Sequence, residues 1–380
     1  MVKPDSHPGG DPYLARQKRL AQALLRAKLD IVALNPGPTL EYLTGLKFHL
    51  SERPVTALFA PDSPVRIIHP ELESAKTTNL PFPCQAYAYG EDPGTWVAVF
   101  QHGFQQAGLP VRPRIGIEPR QLRVMEYSLL QSATPDADFI PAEETLAGLR
   151  LYKDHDELVA IKKAVDIAEA ALLKTLPLIK IGMSERMVAS ELIQQLFKAG
   201  SDAEMPFSPI VSAGPNSANP HASPSDYVLR DGDLLVIDWG ASHAGYLSDL
   251  TRTFALGETE PEYQRIAGIV LRANEAGRKA AGAGVTAEDV DRAARRVIEQ
   301  AGYGEYFIHR TGHGLGRESH EEPYIRNGNR LALAPGMVFT IEPGIYIPNQ
   351  NGVRIEDNVV ITSEGAECLS SLPRELLTIG

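Results

Sequence analysis

Residues 236–252 have the sequence VIDWGASHAGYLSDLTR. Apolar residues precede Asp238, a run that favours β-structure follows, and small residues with glycine lie between them, which is the pattern of an antiparallel hairpin. With its turn centred between His243 and Ala244, the hairpin places Asp238 directly opposite Asp249 on one face. Two like charges in a half-buried sheet are destabilising unless a proton or a cation separates them. The segment therefore predicts a metal site.

A second pair of acids is predicted nearer the C-terminus. A strand at 337–342 is stopped by a Pro-Gly pair, and a further strand at 353–361 contains Glu356. Pairing of these strands about Asn349, in a loop rich in turn residues, places Glu342 opposite Glu356, allowing for a bulge from the longer loop. The second hairpin is thus expected to present two carboxylates in the same way as the first.

The segment TGHGLG at 311–316 is too rich in glycine for a helix and presents one histidine on a constrained backbone. It lacks the lysine of a P-loop and the preceding strand of a dinucleotide-binding motif, so it is a poor phosphate site. Four carboxylates and one imidazole suit two divalent ions, with Mn²⁺ as the first choice and Co²⁺ or Zn²⁺ as alternatives. The predicted metal ligands are Asp238, Asp249, His313, Glu342 and Glu356.

Other polar residues are assigned by their position relative to this set. His221 lies in a Pro-rich loop, and His320 follows the glycine segment closely enough to fold back towards it. Both suit hydrogen bonding to a substrate carbonyl or a tetrahedral intermediate, although spacing alone leaves a satisfied structural histidine equally open. We expect structural roles for the remaining candidates, which are Asp357, His309, His243 and His49.

The 380-residue chain is long enough for two domains, and its apolar fraction of 43% can bury both cores. The net charge of −11 and the absence of a basic run argue against nucleic acid or an anionic membrane and favour a small-molecule or peptide partner. Cys84 and Cys368 form neither a disulfide framework nor a thiolate zinc site, which favours the cytoplasm. No apolar segment of signal or membrane-spanning type is found, and residues 1–10 are expected to be a frayed tail.

The order of predicted elements changes near residue 149. The first part alternates strands with helices, as in an α/β domain, and the second begins with a long amphipathic helix. We place Tyr42 to Gly45 and Ser51 to Pro54 in loops. The predicted strands are 31–34, 55–60, 65–69, 86–89, 114–118, 138–141 and 208–213, besides the hairpins. The predicted helices are 12–29, 70–78, 95–108, 120–131, 154–179, 184–198, 261–282 and 286–302.

Together these motifs resemble the pita-bread metallopeptidases, specifically their Xaa-Pro dipeptidase (prolidase) and aminopeptidase P branch. The resemblance covers most of the chain. It implies an α+β fold in which a pita-bread (creatinase/aminopeptidase-like) catalytic domain at 149–380 follows a smaller α/β creatinase-like N-terminal domain at 1–148. The matching segments are Pro220-His221, Asp238-Trp239-Gly240, Ser248-Asp249-Leu250-Thr251-Arg252, Thr311-Gly312-His313-Gly314-Leu315-Gly316, Glu342-Pro343-Gly344 and Arg354-Ile355-Glu356-Asp357.

The resemblance also implies how the metal ligands divide. Asp238 and Asp249 would bind one ion, Asp249, His313 and Glu342 the other, and Glu356 would bridge both ions, as would Asp249. A hydroxide between the two ions would be the nucleophile.

Catalytic roles follow from the same resemblance. Glu342 would also be the proton shuttle, and His221 and His320 would stabilise the tetrahedral species. Arg354 would hold the substrate carboxylate or Glu356.

The activity that the resemblance implies is hydrolysis of the Xaa-Pro imide bond of dipeptides by a dinuclear-metal peptidase. Three alternatives remain open: aminopeptidase P acting on longer Xaa-Pro peptides, a metal-free creatine-type amidinohydrolase, and a non-catalytic peptide-binding module. A homodimer is expected from the resemblance, whereas the preferred first residue and the proline pocket are not readable from the sequence.

Overall fold

The computed structural model describes residues 11–380, which form two compact units, 11–150 and Leu151–Gly380. The tail predicted at 1–10 lies outside the described residues. Within 11–380, no helix has both the length and the apolar character needed to cross a membrane.

The first unit is built on a six-stranded mixed sheet with the order β4-β3-β2-β1-β5-β6. Its strands are β1 (Ile31–Leu34), β2 (Thr56–Phe59), β3 (Val65–Pro70), β4 (Cys84–Tyr89), β5 (Arg114–Ile117) and β6 (Asp138–Pro141). Its helices are α1 (Pro12–Ala27), α2 (Pro38–Thr44), α3 (Trp96–Gln105), α4 (Val124–Ala133) and α5 (Glu143–Arg150). The predicted strands of this part are confirmed, and so is its α/β character.

The structure of this unit differs from the predictions at three places. The segment predicted as a helix at 70–78 forms a 3₁₀ helix, Glu71–Thr77, and helix α5 was not predicted. Tyr42 lies in helix α2 rather than in a loop. Its ring is completely buried, and its hydroxyl donates to Leu149 O at 2.9 Å. Gly45 ends that helix with a φ of 72°. Within the segment predicted as a loop, Gly45 is therefore the residue that adopts a left-handed turn conformation.

The second unit contains two helix pairs and two larger sheets. Its helices are α6 (His155–Thr175), α7 (Glu185–Ala199), α8 (Pro261–Ala280) and α9 (Ala287–Gln300), of which α6 packs on α7 and α8 on α9. Its strands are β7 (Ile210–Ala213), β8 (Leu234–Trp239), β9 (Ser242–His243), β10 (Tyr246–Leu247), β11 (Leu250–Leu256), β12 (Gly312–Gly314), β13 (Glu321–Ile325), β14 (Val338–Ile341), β15 (Gly344–Tyr346), β16 (Gly352–Arg354), β17 (Asp357–Thr362), β18 (Gly365–Cys368) and β19 (Leu377–Ile379).

The two larger sheets of this unit have the orders β19-β11-β8-β7 and β13-β12-β14-β17-β18. Trp239, at the end of β8, is completely buried and its Nε1 donates to Ala168 O at 2.9 Å. The indole therefore joins the first sheet to helix α6 at the position where the strand delivers Asp238. Thr251 in β11 also forms an isolated bridge with Glu356, which connects the first sheet to the second hairpin.

The first hairpin forms, but its register differs from the prediction by two residues. Asp238 pairs with Thr251, not with Asp249, and the turn is centred on Ala244 and Gly245, whose φ angles are 52° and 76°. A two-residue hairpin turn of this type needs positive φ at both central positions, and the glycine supplies one of them without strain. Asp249 is consequently the diagonal neighbour of Asp238 on the same face.

The predicted register of the second hairpin is confirmed on both sides of its acids. Ile341 pairs with Asp357 in β14 and β17, and Gly344 pairs with Arg354 in β15 and β16. These pairs follow one continuous register. Glu342 and Glu356 therefore lie opposite each other in the gap between the two paired segments.

Asp357 has the structural role that was expected of it. Its side chain is completely buried and accepts hydrogen bonds from Arg252 Nη2 at 2.9 Å, from Arg374 Nε at 2.6 Å and from Ser370 Oγ at 2.8 Å. Burial alone would raise the pKa of Asp357, but Arg252 and Arg374 outweigh burial and hold the pKa below its ordinary value. This acid is thus neutralised within the protein, on the opposite side of the strand from Glu356.

Gly240 gives a test of the hairpin geometry. A Cβ atom at this position would lie 2.1 Å from the backbone oxygen of Ser248, which no side-chain adjustment relieves. We expect Gly240→Ala to lower the melting temperature, with a loss of about 1–3 kcal/mol or more as for other overpacked sites. Gly268→Ala in helix α8 is the control, because its Cβ would meet only Arg272 Nη1 at 3.6 Å. An unchanged melting temperature for Gly240→Ala would contradict the described register.

Candidate metal centre

All eight predicted site residues line one cavity of about 580 Å³ in the second unit. They are four carboxylates, three histidines and one arginine. These residues are delivered by the two hairpins, by the glycine segment at β12, by the loop before β8 and by the loop before β13. The eight are His221, Asp238, Asp249, His313, His320, Glu342, Arg354 and Glu356.

Three of the predicted ligands form a compact group. One ligand atom from each of Asp249, His313 and Glu356 lies within 4.8 Å of the others, and all three residues are buried. His313 Nε2 is 3.7 Å from Asp249 Oδ2 and 3.3 Å from Glu342 Oε1. His313 Nδ1 is 3.1 Å from Gly314 O, and only a protonated Nδ1 can donate to that oxygen. The Nε2 lone pair therefore faces the carboxylates and is available to a metal.

Burial of these acids strongly disfavours their simultaneous ionisation. Burial, together with the neighbouring carboxylates, raises the pKa of Asp249 and of Glu356 well above the ordinary values. Burial also raises the pKa of Glu342 to about 7. The pKa of Asp238 is raised by burial too, although Arg354 acts against it. Without a cation, the group must hold protons at neutral pH.

Asp238 provides a specific indication that a cation fits. Its Oδ2 accepts a hydrogen bond from Arg354 Nη2 at 2.6 Å, whereas its Oδ1 is buried and has no hydrogen-bond partner among residues 11–380. A buried polar oxygen without a partner is costly unless something else coordinates it. Carboxylate oxygens with one imidazole are a suitable donor set for divalent ions such as Mn²⁺. The residues present therefore fit a metal centre.

Two threonines that sequence reasoning missed hold the acids in place. Thr251 Oγ1 donates to Glu356 Oε2 at 2.7 Å and accepts from Arg354 Nε at 3.1 Å. Thr340 Oγ1 lies 3.3 Å from Glu342 Oε1. Each threonine lies in a strand and is two residues from a predicted ligand that adjoins the end of that strand, so the two-residue period of extended backbone could have indicated them.

Arg354 is fixed by a chain of buried groups. Its Nη1 donates to Tyr346 Oη at 2.8 Å and to Pro220 O at 3.3 Å. Burial raises the pKa of Tyr346 to about 12, so the phenol stays protonated. Its hydroxyl is 2.9 Å from His309 Nε2, and the other ring nitrogen of His309 is 2.7 Å from Arg310 O.

His309 was expected to be structural, and hydrogen bonds at both of its ring nitrogens agree with that expectation. Burial, reinforced by Arg354, lowers the pKa of His309 to about 3, so the ring is neutral. His309 nevertheless lines the cavity, as does Arg310. No sequence signal distinguished either residue, nor Tyr346, because the chain of contacts from Arg310 O through His309 and Tyr346 to Arg354 is created only by the fold.

His221 and His320 lie at the exposed side of the cavity. The His320 ring is packed edge-on against that of His313, with 4.1 Å between ring centroids. Partial burial of the His320 ring, followed by the charge of Arg310, lowers its pKa, which favours a neutral ring. Both histidines can therefore reach a molecule that enters the cavity and contacts the carboxylates.

Comparisons with known proteins agree with this geometry. Residues 159–363 match the model of metallopeptidase family M24, and residues 16–152 match the Creatinase/Prolidase N-terminal domain. An Xaa-Pro dipeptidase of Lactobacillus delbrueckii subsp. lactis is 37% identical over 92% of this chain and 94% of its own length. A crystal structure of a prolidase from Thermococcus sibiricus is similar with a TM-score of 0.92 and 33% identity, over 98% of this chain and all of that chain.

A dipeptidase structure from Pyrococcus horikoshii OT3 is similar as well, with a TM-score of 0.89 and 38% identity over 96% of this chain and 100% of that chain. These matches confirm the predicted fold class, a pita-bread catalytic domain preceded by a creatinase-like N-terminal domain. The buried acids, the available imidazole and the family matches lead to one conclusion: this chain belongs to metallopeptidase family M24 and is a metal-dependent hydrolase.

Proposed function

We propose that this enzyme hydrolyses the Xaa-Pro imide bond of dipeptides. The observation that carries the proposal is the convergence of all eight candidate residues on one cavity. The relatives named Xaa-Pro dipeptidase and prolidase, which match nearly the whole chain, support the same substrate class. The alternative within the family is aminopeptidase P activity on longer Xaa-Pro peptides.

The proposed cofactor is a pair of divalent ions, with Mn²⁺ as the first choice and Co²⁺ or Zn²⁺ as alternatives. Asp238 and Asp249 would hold one ion, Asp249, His313 and Glu342 the other, and Glu356 would bridge them. Such ions polarise a carbonyl group and lower the pKa of water so that it can act as a nucleophile near neutral pH.

The remaining roles belong to side chains of this protein. Glu342, whose Oε1 is 3.3 Å from His313 Nε2 on the cavity lining, would move the proton through its carboxylate oxygens. His221 and His320 would hydrogen-bond to the oxygen that becomes negative during hydrolysis. Arg354 would orient Asp238, to which it donates, and its place on the cavity wall also suits recognition of the substrate carboxylate.

A homodimer and a cytoplasmic location complete the proposal. The dimer rests on the family resemblance. The location rests on two free cysteines, Cys84 and Cys368, which form no disulfide in the described part of the chain.

Substrate length separates the two peptidase activities. We expect enzyme reconstituted with Mn²⁺ to cleave an Xaa-Pro dipeptide faster than the matching Xaa-Pro-Xaa tripeptide, and to leave an Xaa-Ala dipeptide as a poor substrate. Initial rates by chromatography measure all three. A preference for the tripeptide would indicate aminopeptidase P instead, and no cleavage of either Xaa-Pro peptide would exclude both activities.

Asp249 belongs to the compact ligand group and to both proposed ion sites. We expect Asp249→Asn to lower kcat/KM by more than about 100-fold, since loss of a residue that only supports a ligand already costs 10–100-fold. Asp202→Asn is the matched control, because Asp202 Oδ2 accepts from Gly245 N at the tip of the same hairpin and lies outside the cavity lining. Equal activity of the two variants would contradict the assignment.

Removal of the metal should change how stability depends on pH. In the metal-free protein, burial raises the pKa of Glu342 from 4.5 to about 7, so between these values the folded state binds more protons than the unfolded state. Asp249 and Glu356 shift in the same direction. We therefore expect the melting temperature of chelated protein to fall from about pH 5 to about pH 7.5, and saturating Mn²⁺ to remove that fall. A rising melting temperature of chelated protein over this range would contradict the prediction.

A further inference from the structure

The loop at 214–227, here called the His221 loop, connects β7 to the segment before β8. Helix α7 begins with Glu185, whose side chain is completely buried beside both ends of this loop. Glu185 Oε1 accepts from Ala213 N at 2.7 Å and from Asn216 Nδ2 at 3.1 Å, at the start of the loop. Its Oε2 accepts from Ser225 N at 2.8 Å and Ser225 Oγ at 2.6 Å, near the end of the loop. One carboxylate thus joins the two ends.

Backbone groups at the start of α7 bind the same part of the loop. Glu185 N donates to Tyr227 O at 3.1 Å, and Arg186 N donates to Ser225 O at 3.2 Å. These are among the first N–H groups of the helix, which have no acceptor within the helix itself. The far end of the His221 loop is therefore aligned along the helix N-terminus. The Glu185 side chain connects this end to β7, and Asn216 Nδ2 connects it to the start of the loop by donating to Ser225 Oγ at 3.1 Å.

The middle of the loop is attached to the second acidic hairpin. Gly352 N donates to Ser217 Oγ at 2.7 Å, and Arg354 Nη1 donates to Pro220 O at 3.3 Å. His221 follows directly, and its backbone N donates to Asn219 Oδ1 at 3.1 Å while its side chain remains exposed on the cavity. His221 thus lies between the attachments at Ser217 and Pro220 on one side and the far end of the loop, where Ser225 binds Glu185, on the other.

We propose that Glu185 is a positioning residue that holds His221 in place over the metal centre. It contacts neither the cavity nor the acids and acts only through the loop. The proposal rests on the proposed function, because it gives a role in hydrolysis to a histidine that would stabilise the negatively charged oxygen.

The chemistry of the site requires a carboxylate. All four groups around Glu185 are donors, and a carboxylate accepts hydrogen bonds without donating any. In Glu185→Gln, which has nearly the same shape, the amide N–H groups would face Ser225 N or Ala213 N, and at least one buried donor would lose its acceptor. The substitution therefore loosens the loop without creating a cavity.

Glu169 in helix α6 provides a matched control. It is also a buried glutamate that binds a distant segment, accepting from Ser371 N, from Ser371 Oγ at 2.6 Å and from Leu372 N at 2.9 Å. Its partners do not line the cavity. Glu169→Gln reproduces the electrostatic and steric change of Glu185→Gln but leaves the His221 loop untouched.

Hydrogen exchange of Mn²⁺-loaded enzyme without substrate tests the positioning directly. We expect Glu185→Gln to accelerate exchange in peptides that cover 213–227, and Glu169→Gln to leave those peptides unchanged. Ser225→Ala, with Ser371→Ala as its control, removes the hydroxyl that donates to Glu185 and accepts from Asn216 Nδ2 and Tyr227 N, and it tests the same end of the loop if Glu185→Gln fails to fold. Unchanged exchange of the loop in a folded Glu185→Gln or Ser225→Ala variant would overturn the proposal.

A double-mutant cycle on hydrolysis tests whether the effect reaches His221. We expect Glu185→Gln to lower kcat/KM roughly tenfold when His221 is present, and less than about twofold in the His221→Ala background, because coupled residues are not additive. Equal losses in both backgrounds would overturn the coupling. If the wild-type enzyme cleaves no Xaa-Pro peptide, the proposed function fails, whereas the exchange measurement still decides whether Glu185 holds the loop.

Discussion

The desolvation of four carboxyl groups in one cavity is the constraint on which the catalytic unit depends. Asp238, Asp249, Glu342 and Glu356 come from two separate hairpins and meet at one cavity, with His313 beside them. Burial raises the pKa of each acid, so the arrangement is unfavourable unless protons or cations neutralise it. A fold that keeps these four acids together must bind protons or cations to neutralise their charge. The hairpins that bring the acids together thereby create the metal site that the chemistry of the family requires.

Asp357 shows how this protein neutralises a buried acid with its own arginines instead of a bound cation. It is as deeply buried as its neighbour Glu356, but Arg252 and Arg374 neutralise it and lower its pKa. Among the acids of the cavity, Asp238 accepts a hydrogen bond from Arg354, and Glu356 accepts one from the neutral hydroxyl of Thr251. Two arginines thus lower the pKa of the acid that serves the fold, whereas Arg354 does not offset the burial that raises the pKa of Asp238, and the acids that face the cavity need a further cation or protons.

Much of the fold and of the site could be predicted because their signals are local. The alternation of strands and helices gave the α/β N-terminal unit, and acids at matching positions of two hairpins indicated the centre. The register of the first hairpin was wrong because the Ala244-Gly245 turn moves the pairing by two residues. Tyr346 and Glu185 could not be found from sequence, since their roles arise from contacts with residues far away in the chain. The predicted roles of the metal ligands stay predictions until a metal is bound.

Calorimetric titration of metal-free enzyme with Mn²⁺ in buffers of different ionisation enthalpy tests the central claim most directly. Near pH 6, the acids with raised pKa values hold protons that an incoming cation must displace. The account predicts two ions bound per chain with release of protons to the buffer. Binding of fewer than two ions per chain, or binding without proton release, would contradict it.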